Sequence, residues 1–250
     1  MKIGASVGPD IEDVANVPKQ FDFVEIAIGE REVAPEDIDV EQLESDLEEK
    51  DLGLVVHLPF RQPLATTVDE FNEALVDYYD RLLRFSADLG AEKAVVHLNL
   101  RYGQELEDVK DKLHDQIKAL KVLEERHGVE LVYENLPFGS SRAVDLEDLP
   151  SFAEQLGVSV CLDTGHAFAE SGQEGLEDFL DEAGEELSHL HVQDSMDGDD
   201  SHVAVGHGDI DWKEVGSRLE EFEGTATLEI FTNDWDYAGL SREKLLEYVD

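Results

Sequence analysis

The sequence predicts an α/β fold, a (β/α)8 TIM barrel formed by a single domain over residues 1–250. Short segments rich in β-branched residues alternate with longer segments whose apolar residues recur at intervals of three and four. The 250 residues divide into eight units of about 31 residues, the size of one strand–helix unit. No stretch rich in proline, glycine and serine divides the chain into separate domains.

The predicted strands are short, apolar and evenly spaced along the chain. They cover residues 3–7, 23–28, 54–58, 93–98, 130–134, 159–163, 187–192 and 225–231. The predicted helices are amphipathic, as the spacing of Leu113, Ile117, Leu120 and Leu123 illustrates. They cover residues 40–49, 69–89, 105–127, 145–156, 176–183, 211–222 and 241–249. Each strand is therefore followed by a helix or by a segment long enough to form one.

A doubly wound open sheet is the alternative fold for such an alternation of strands and helices. That fold usually has a glycine-rich phosphate-binding loop after its first strand. The sequence at that place, ASVGPDIED, contains neither GxGxxG nor GxxxxGK. The barrel is therefore the favoured architecture.

The chain is strongly acidic, with 61 Asp and Glu residues against 19 Lys and Arg residues and a formal net charge of −42. The acidic residues are spread between apolar segments, and 41% of all residues are hydrophobic, enough for a packed core. This distribution excludes an acidic disordered chain. A surface of carboxylates repels itself at low ionic strength and is screened by molar salt. We therefore expect a halophilic protein from a high-salt cytosol.

Composition also limits the partners and the location of the protein. Nucleic-acid surfaces and anionic membranes bind clustered cations, which are scarce here. The first residues, MKIGASVGPDIEDV, do not combine a basic flank with an apolar stretch, and no apolar run approaches the ~20 residues of a membrane span. Cys161 is the one cysteine, so a disulfide within the chain cannot form. We expect a cytoplasmic protein with no membrane partner.

Side chains that can bind a metal end six consecutive predicted strands. Active sites of barrels lie at this end of the strands. Strands three and four end in near copies of one another, VVHLPF with His57 and VVHLNL with His97. The other candidates are Glu134 on strand five, Asp163 and His166 on strand six and just after it, His191 on strand seven, Asp200 and His202 in the following loop, and Glu229 on strand eight. These nine residues converge on one rim of the predicted barrel.

The prediction of a metal site depends on the convergence of these residues, because each of them alone is more simply interpreted as an ordinary polar residue. Carboxylates that point into one barrel mouth repel each other and raise each other's pKa values. A divalent cation removes that cost, and mixed sets of His, Asp and Glu suit Zn²⁺ or Mn²⁺. We therefore expect a divalent metal cofactor, Zn²⁺ or Mn²⁺.

The stretches that carry these residues resemble the xylose isomerase-like barrel superfamily. It includes isomerases and epimerases of sugars and sugar phosphates, and also endonuclease IV (AP endonuclease family 2), which repairs abasic sites in DNA. The matching stretches are VVHLPF, VVHLN, YENLP, CLDTGHAF, HVQDS, HVAVGHGDIDW and TLEIF. They extend from strand three to strand eight, and they identify the superfamily rather than one of its branches.

The isomerase-type resemblance implies a single metal. Its ligands would be Glu134, Asp163, His191 and Glu229. In that family the two glutamates also remove a proton next to a carbonyl and return it, while the metal stabilises the enediolate. His166 would bind the substrate. The sequence departs from several such epimerases at Asp197, where they have an arginine six residues after the histidine of strand seven.

The endonuclease-type resemblance implies three zinc ions and hydrolysis of a phosphodiester at abasic DNA sites. The first zinc would be held by His57, His97 and Glu134, the second by Glu134, Asp163, His191 and Glu229, and the third by His166, Asp200 and His202. However, the segment after strand two, IGEREVAPED, lacks the aromatic and basic loop that enters DNA in that family. The two branches together imply one to three metal ions per chain.

Arginines and aromatic residues also fall in predicted loops on this rim. Arginine has the fork geometry that recognises phosphate, so we expect Arg61, Arg101 and Arg142 to bind an anionic group of the substrate. Pairing with the abundant acidic residues is the simpler alternative. The aromatic residues, which would stack on a sugar or cap the barrel, are Phe60, Tyr102, Phe138, Phe168, Trp212, Trp235 and Tyr237.

We therefore predict a divalent-metal-dependent isomerase or epimerase that acts on a small-molecule sugar or sugar phosphate, with Glu134, Glu229 and His166 as catalytic residues. An endonuclease IV-like trinuclear-zinc hydrolase is the alternative, and DNA is a partner only under that alternative. The net charge disfavours it, since contacts to phosphates supply much of the affinity for DNA. A metal-binding barrel without catalytic activity is the third possibility.

Overall fold

A closed barrel of eight parallel strands forms the centre of the computed structural model, which describes residues 1–137, 141–232 and 234–249. The barrel strands are β1 (Lys2–Gly8), β2 (Phe23–Ala27), β3 (Gly53–His57), β4 (Lys93–His97), β5 (Glu130–Glu134), β6 (Ser159–Asp163), β7 (Leu187–Val192) and β10 (Thr225–Leu228). Pairing of β1 with β10 closes the barrel, with Ile3 opposite Ala226. The predicted (β/α)8 fold is confirmed.

Helices lie between the strands along the chain. They are α1 (Val40–Lys50), α2 (Asp69–Asp88), α3 (Lys110–His127), α4 (Leu149–Leu156), α5 (Thr164–Glu182), α6 (Trp212–Leu219) and α7 (Trp235–Val249). A short 3-10 helix, Ile11–Asn16, follows β1 in place of a full helix. No helix in the described part of the chain is both long enough and apolar enough to cross a membrane.

Two separate apolar cores follow from the alternation of side chains along the strands. A small cluster consists of Phe23, Val55, Val95, Val132 and Cys161, one residue from each of five barrel strands, all buried. Their neighbours in sequence, such as Val24, Val56 and Val96, belong instead to the large core that includes the apolar faces of the helices. Because strand side chains alternate between two faces, the small cluster lies inside the barrel and the large core surrounds it.

Helix starts differ most from the sequence-based prediction. The helix predicted over 176–183 begins at Thr164, directly after the strand, because the Asp163 carboxylate accepts a hydrogen bond from the His166 backbone N–H (2.7 Å). A non-helical residue, Gly172, interrupts it at φ 66°. The helix predicted from residue 105 begins at Lys110, after a 3-10 turn over Leu106–Asp108.

A β-hairpin follows β7, where the sequence predicts only a loop. It consists of β8 (Asp194–Met196) and β9 (Asp199–Val203), which pair antiparallel. Its two turn residues, Asp197 and Gly198, both have positive φ (56° and 74°), as two-residue hairpin turns require. The hairpin carries Asp200 and His202 towards the mouth of the barrel.

Candidate metal centre

A cavity of about 860 Å³ opens at the C-terminal ends of the barrel strands. Seven of the nine predicted ligands line it, namely His57, His97, Glu134, His166, Asp200, His202 and Glu229. The other two, Asp163 and His191, are fully buried. Strand register brings the residues together, since His97 lies opposite Glu134 and Asp163 lies opposite His191 in neighbouring parallel strands.

Four residues on β5, β6, β7 and just after β10 form what we call the central group. They are Glu134, Asp163, His191 and Glu229, and one ligand atom from each lies within 4.8 Å of the others. His191 Nδ1 is 3.2 Å from Glu134 Oε1 and 3.2 Å from Glu229 Oε2. Three carboxylates and one imidazole thus converge in a space that a single cation can fill.

Two further sets of three residues flank the central group. The first outer group consists of His57, His97 and Glu134, and the second outer group consists of His166, Asp200 and His202. Glu134 belongs to both the central group and the first outer group. The structure therefore gathers all nine predicted ligands into three adjoining sets.

Within the first outer group, one oxygen of Glu134 faces two imidazoles. Glu134 Oε2 lies 2.9 Å from His97 Nε2 and 3.4 Å from His57 Nε2. Neither ring is aligned to donate to it, so this buried oxygen has no hydrogen-bond partner among the described residues. A buried acceptor without a donor is rare in folded proteins, and it indicates a place for a cation.

Backbone carbonyls orient three of the histidines. His57 Nδ1 donates to the Leu58 carbonyl (2.8 Å), His166 Nδ1 to the Asn135 carbonyl (3.0 Å) and His202 Nδ1 to the Glu229 carbonyl (3.0 Å). When such a ring is neutral, as a metal ligand must be, the other nitrogen, Nε2, is free of hydrogen and faces a carboxylate. This arrangement is typical of metal-binding histidines, because the hydrogen bond fixes both the tautomer and the ring orientation.

Charges in the site perturb its titratable groups strongly. Burial raises the pKa of Asp163 to about 6. Burial would also raise the pKa of Glu134, but the neighbouring His97 and His191 hold it well below its usual value. Conversely, burial would lower the pKa of His166, but Asp163 and other nearby carboxylates raise it to about 10. Without a metal, protonated imidazoles supply the positive charge that the carboxylates need, and a divalent cation would displace those protons.

Gln193, which the sequence reasoning missed, connects the central group to the second outer group. Its Nε2 donates to Asp163 Oδ2 (3.1 Å) and to Asp200 Oδ1 (2.9 Å), while its Oε1 accepts from the backbone N–H of His202 (2.7 Å). A Cβ on Gly165 would lie 2.5 Å from the Gln193 side chain, so this packing requires glycine there. A single buried amide thus holds two carboxylates in place.

Asp194 anchors the hairpin that carries Asp200 and His202. This buried carboxylate accepts hydrogen bonds from four donors between the end of β7 and the first residue of α6. They are the backbone N–H groups of Ser195, Gly206 and Ile210 and the indole N–H of Trp212. The second outer group is therefore carried by a fixed loop, although it lies outside the barrel strands.

Glu25 on β2 was also missed, because it lies in the middle of a strand rather than at its end. Its Oε2 accepts hydrogen bonds from His191 Nε2 (3.1 Å) and from the Thr227 hydroxyl (2.9 Å). Burial would raise the pKa of Glu25, but His191 and the hydrogen bonds hold it well below its usual value. A lone acid within the apolar stretch FVEIAI was the available signal.

None of the three predicted anion-binding arginines lines the cavity in the described part of the chain. Arg61 is exposed and lies over the Phe60 ring (5.1 Å), and Arg101 is exposed on the surface. Arg142 contacts Asp145 (2.6 Å) and Glu170 (3.2 Å). The three arginines are thus outside the described cavity lining, and their binding of an anionic group stays a prediction.

The described lining of the cavity contains no lysine and no arginine at all. Its acidic members are Asp10, Asp13, Glu25, Glu32, Glu134, Asp200 and Glu229. Of the predicted rim aromatics, Phe60 and Trp235 line it, whereas Phe138 lies outside the described residues. The cavity is therefore an acidic and partly apolar space that is open to a neutral or cationic molecule.

Comparison with known proteins agrees with this architecture. The family model described as "Xylose isomerase-like TIM barrel" matches residues 16–248. A probable endonuclease 4 from Halothermothrix orenii is 26% identical over 200 residues, which are 72% of each chain.

Two solved structures share the fold over nearly their whole length. A D-tagatose 3-epimerase-like protein superposes with a TM-score of 0.80 at 22% identity, covering 100% of this chain and 97% of that one. A D-psicose 3-epimerase solved in the presence of D-fructose gives 0.78 at 18% identity, covering 98% and 99%. Because the family model covers most of the sequence, the chain belongs to the xylose isomerase-like TIM barrel family.

Proposed function

We propose that this protein is a divalent-metal-dependent epimerase or isomerase that acts on a neutral sugar by moving a proton on the carbon next to a carbonyl. One observation carries the proposal: the central group faces an 860 Å³ cavity whose described lining offers carboxylates and imidazoles but no lysine or arginine. Such a cavity suits a polyhydroxylated neutral molecule bound through a cation and hydrogen bonds. The sugar epimerases that share the fold support this assignment.

The donor set of the central group fits Zn²⁺ or Mn²⁺, because both accept mixed carboxylate and imidazole ligands. Glu134, Asp163, His191 and Glu229 would hold the ion. The unpartnered Oε2 of Glu134 and the His191 Nδ1 that faces two carboxylates are the local observations that favour a cation. When bound, a divalent cation supplies Lewis-acid stabilisation of negative charge on the sugar oxygens.

Glu134 and Glu229 are the proposed acid and base. Both line the cavity, and each carboxylate has two oxygens, so one can stay free to exchange a proton. One carboxylate takes the proton from the carbon next to the carbonyl, and the electron pair moves to the carbonyl oxygen to give an enediolate. The other, protonated, delivers a proton to the opposite face of that carbon, which inverts its configuration. His166 lines the cavity beside them, where it would bind a substrate hydroxyl.

Charge separates neutral sugars from sugar phosphates as substrates. The described lining contains no lysine or arginine that could pair with a phosphate, and Arg61, Arg101 and Arg142 are not part of it. A phosphorylated sugar would therefore bind more weakly than its neutral analogue. This choice narrows the sequence-based prediction, which included both classes.

A trinuclear-zinc phosphodiester hydrolase is the second candidate, because three ligand sets adjoin one another and share Glu134. The similarity to a probable endonuclease 4 also favours it. However, a DNA backbone would meet a chain of net charge −42 and a cavity with no lysine or arginine in its described lining. We therefore rank it below the epimerase.

Deuterium exchange tests the proposal whichever epimer or isomer the enzyme forms. Protein loaded with Mn²⁺ or Zn²⁺ is incubated with D-fructose in D2O at high KCl, and the sugar is followed by NMR. We expect deuterium on a carbon next to the carbonyl, and we expect chelation or Glu229→Gln to stop its incorporation. Glu32→Gln, a cavity carboxylate outside the three groups, is the matched control and keeps the exchange. If the protein cleaved an abasic oligonucleotide and incorporated no deuterium into ketohexoses, the hydrolase would be the correct assignment and the epimerase would be wrong.

A further inference from the structure

We infer that Glu25 is a positioning residue that fixes His191 so that its Nδ1 faces the metal of the central group, and that it thereby sets the metal affinity. Glu25 belongs to none of the three ligand groups. This inference rests on the proposed function only in requiring that the central group binds a metal. It concerns how tightly the ion is held rather than which substrate is turned over.

The contact with Glu25 determines which nitrogen of His191 carries hydrogen. An ionised carboxylate can only accept hydrogen bonds, so the 3.1 Å contact between Glu25 Oε2 and His191 Nε2 requires hydrogen on Nε2. In the neutral ring, Nδ1 then has a lone pair, and it lies 3.2 Å from an oxygen of Glu134 and 3.2 Å from an oxygen of Glu229. A cation that takes the place of hydrogen on Nδ1 would face all three of these atoms.

Burial and contacts from two neighbouring strands hold Glu25 in place. Glu25 is almost fully buried, at 1% exposure, although its side chain reaches the wall of the cavity. The Thr227 hydroxyl on β10 donates to the same oxygen at 2.9 Å, and His189 Nε2 lies 3.4 Å away. His189 is held in turn by the Thr225 hydroxyl at 2.6 Å. Glu25 is therefore braced from two strands, and His191 follows its position.

Loss of the Glu25 carboxylate should change the metal affinity by a factor that comparable sites indicate. A carboxylate that accepts from the distal nitrogen of a metal-binding imidazole orients the ring and increases its basicity, and its loss usually lowers metal affinity by about 10- to 100-fold. Glu25 occupies this position relative to His191, on the opposite side of the ring from the central group. We expect its effect on affinity to fall within the same range.

Metal titration of purified variants tests the inference. Glu25→Gln keeps the size of the side chain and an acceptor oxygen but loses the charge. The matched control is Glu130→Gln, a half-buried glutamate of the barrel interior that lies 3.5 Å from Lys93 and outside the ligand groups. Affinity for Zn²⁺ is measured by competition with a chelator, and the visible spectrum of the Co²⁺-loaded protein reports the ligand field.

We expect Glu25→Gln to weaken zinc binding by about 10- to 100-fold and to change the Co²⁺ spectrum, with Glu130→Gln like the wild type. Thr227→Val, which removes the hydroxyl that holds Glu25, should give a smaller loss in the same direction and serves if Glu25→Gln fails to fold. Unchanged affinity in both Glu25→Gln and Thr227→Val, or an equal loss in Glu130→Gln, would overturn the inference.

Failure of the inference and failure of the proposed function are distinguishable. If the wild type binds zinc and Glu25→Gln binds it weakly, the inference stands even when no sugar exchanges deuterium. If the wild type turns over a sugar and Glu25→Gln binds zinc normally, only the inference falls. A wild type that binds no divalent metal overturns both.

Discussion

Two polar regions inside the barrel bury charge in opposite ways. At the N-terminal ends of the strands, which we call the floor, Lys93 donates to the carbonyl and the hydroxyl of Ser188 (both 2.6 Å) and lies 3.5 Å from Glu130. At the C-terminal ends, which we call the mouth, the three ligand groups bring carboxylates and histidines together, and no lysine or arginine occurs in the described lining.

The floor and the mouth differ in the source of the charge that compensates their buried charged groups. At the floor the fold supplies its own cation, Lys93, and its hydrogen-bond acceptors, so the network is complete without a ligand. At the mouth the carboxylates depend on imidazoles that must be protonated, and one oxygen of Glu134 has no hydrogen-bond partner among the described residues. Polar burial at the floor is therefore structural, whereas at the mouth it is prepared for a cation from solution.

The largest expected effect comes from the two glutamates of the mouth. Glu134→Gln and Glu229→Gln should each lower the rate of proton exchange by about 10²- to 10⁴-fold, because each removes an acid–base group. The fold should remain intact, since glutamine has nearly the same shape. Turnover is followed by NMR and folding by circular dichroism, with Glu32→Gln as the control. Near-native turnover in either variant would show that the chemistry lies elsewhere.

Metal removal should give the second-largest effect, a loss of stability that arises at the mouth alone. A metal present at 100 times its dissociation constant stabilises the folded protein by about 2.7 kcal/mol. For a chain of this length that corresponds to a rise in Tm of about 5–11 °C, which chelation should abolish. Asp163→Asn should have little metal-dependent rise, and Glu130→Gln should have all of it. Equal melting temperatures with and without zinc in the wild type would contradict the comparison.

Lys93→Met is the corresponding change at the floor. It removes the ammonium group from the Ser188 carbonyl and from the partly buried Glu130, which keeps Ser188 and Ser159 as partners, so we expect a loss of about 1–3 kcal/mol in the free energy of unfolding. Zinc affinity should be unchanged, because Lys93 contacts no residue of the mouth groups in any described interaction. Denaturant unfolding and zinc titration measure the two quantities. A large loss of zinc affinity would show that floor and mouth are coupled.

Alkaline pH should destabilise the metal-free protein through the mouth. Burial opposes protonation of His202, but Asp200 and Glu229 raise its pKa to about 9, above its usual 6.5. Its contribution to stability is therefore complete below pH 6.5 and is lost as the pH rises through 9. The Tm of the chelated wild type should fall over this range, and His202→Gln should fall less. Parallel curves for the two proteins would exclude this contribution.

The smallest expected effect is at the arginines. Arg61→Gln and Arg101→Gln should leave KM for a neutral sugar unchanged, because both side chains are exposed and neither lines the cavity. Steady-state kinetics with a neutral sugar and its phosphate ester check this expectation. A selective rise in KM for the ester would restore the phosphate site predicted from the sequence.

The sequence predicted the barrel and the gathering of the candidate ligands because strand ends have fixed positions. Once a strand is recognised, its last residue must lie at the mouth, as His97 and Glu134 do. Loop residues are not constrained in this way, which explains why Arg61 and Arg142 are not part of the described cavity lining. The hairpin was missed although Asp197–Gly198 is a hairpin-turn sequence, because its strands are short and polar.

Residues that act through other residues were the hardest to predict. Glu25 and Gln193 contact candidate metal ligands that lie elsewhere in the chain. Their neighbours in sequence do not indicate which ligand each of them contacts. Only the closed barrel brings Glu25, on β2, beside His191, on β7. An unexpected charge inside an apolar strand is nevertheless a usable signal, as Glu25 in the middle of β2 shows.

Anomalous diffraction at the zinc edge, from crystals of the zinc-loaded protein, tests most directly whether the mouth takes its cation from solution. We predict the strongest anomalous peak between Glu134, Asp163, His191 and Glu229, at about 2.0–2.2 Å from their ligand atoms. The same map reports whether the two outer groups also bind zinc. A map with no peak in the central group, from crystals soaked at saturating zinc, would contradict the assignment of the mouth as a metal centre.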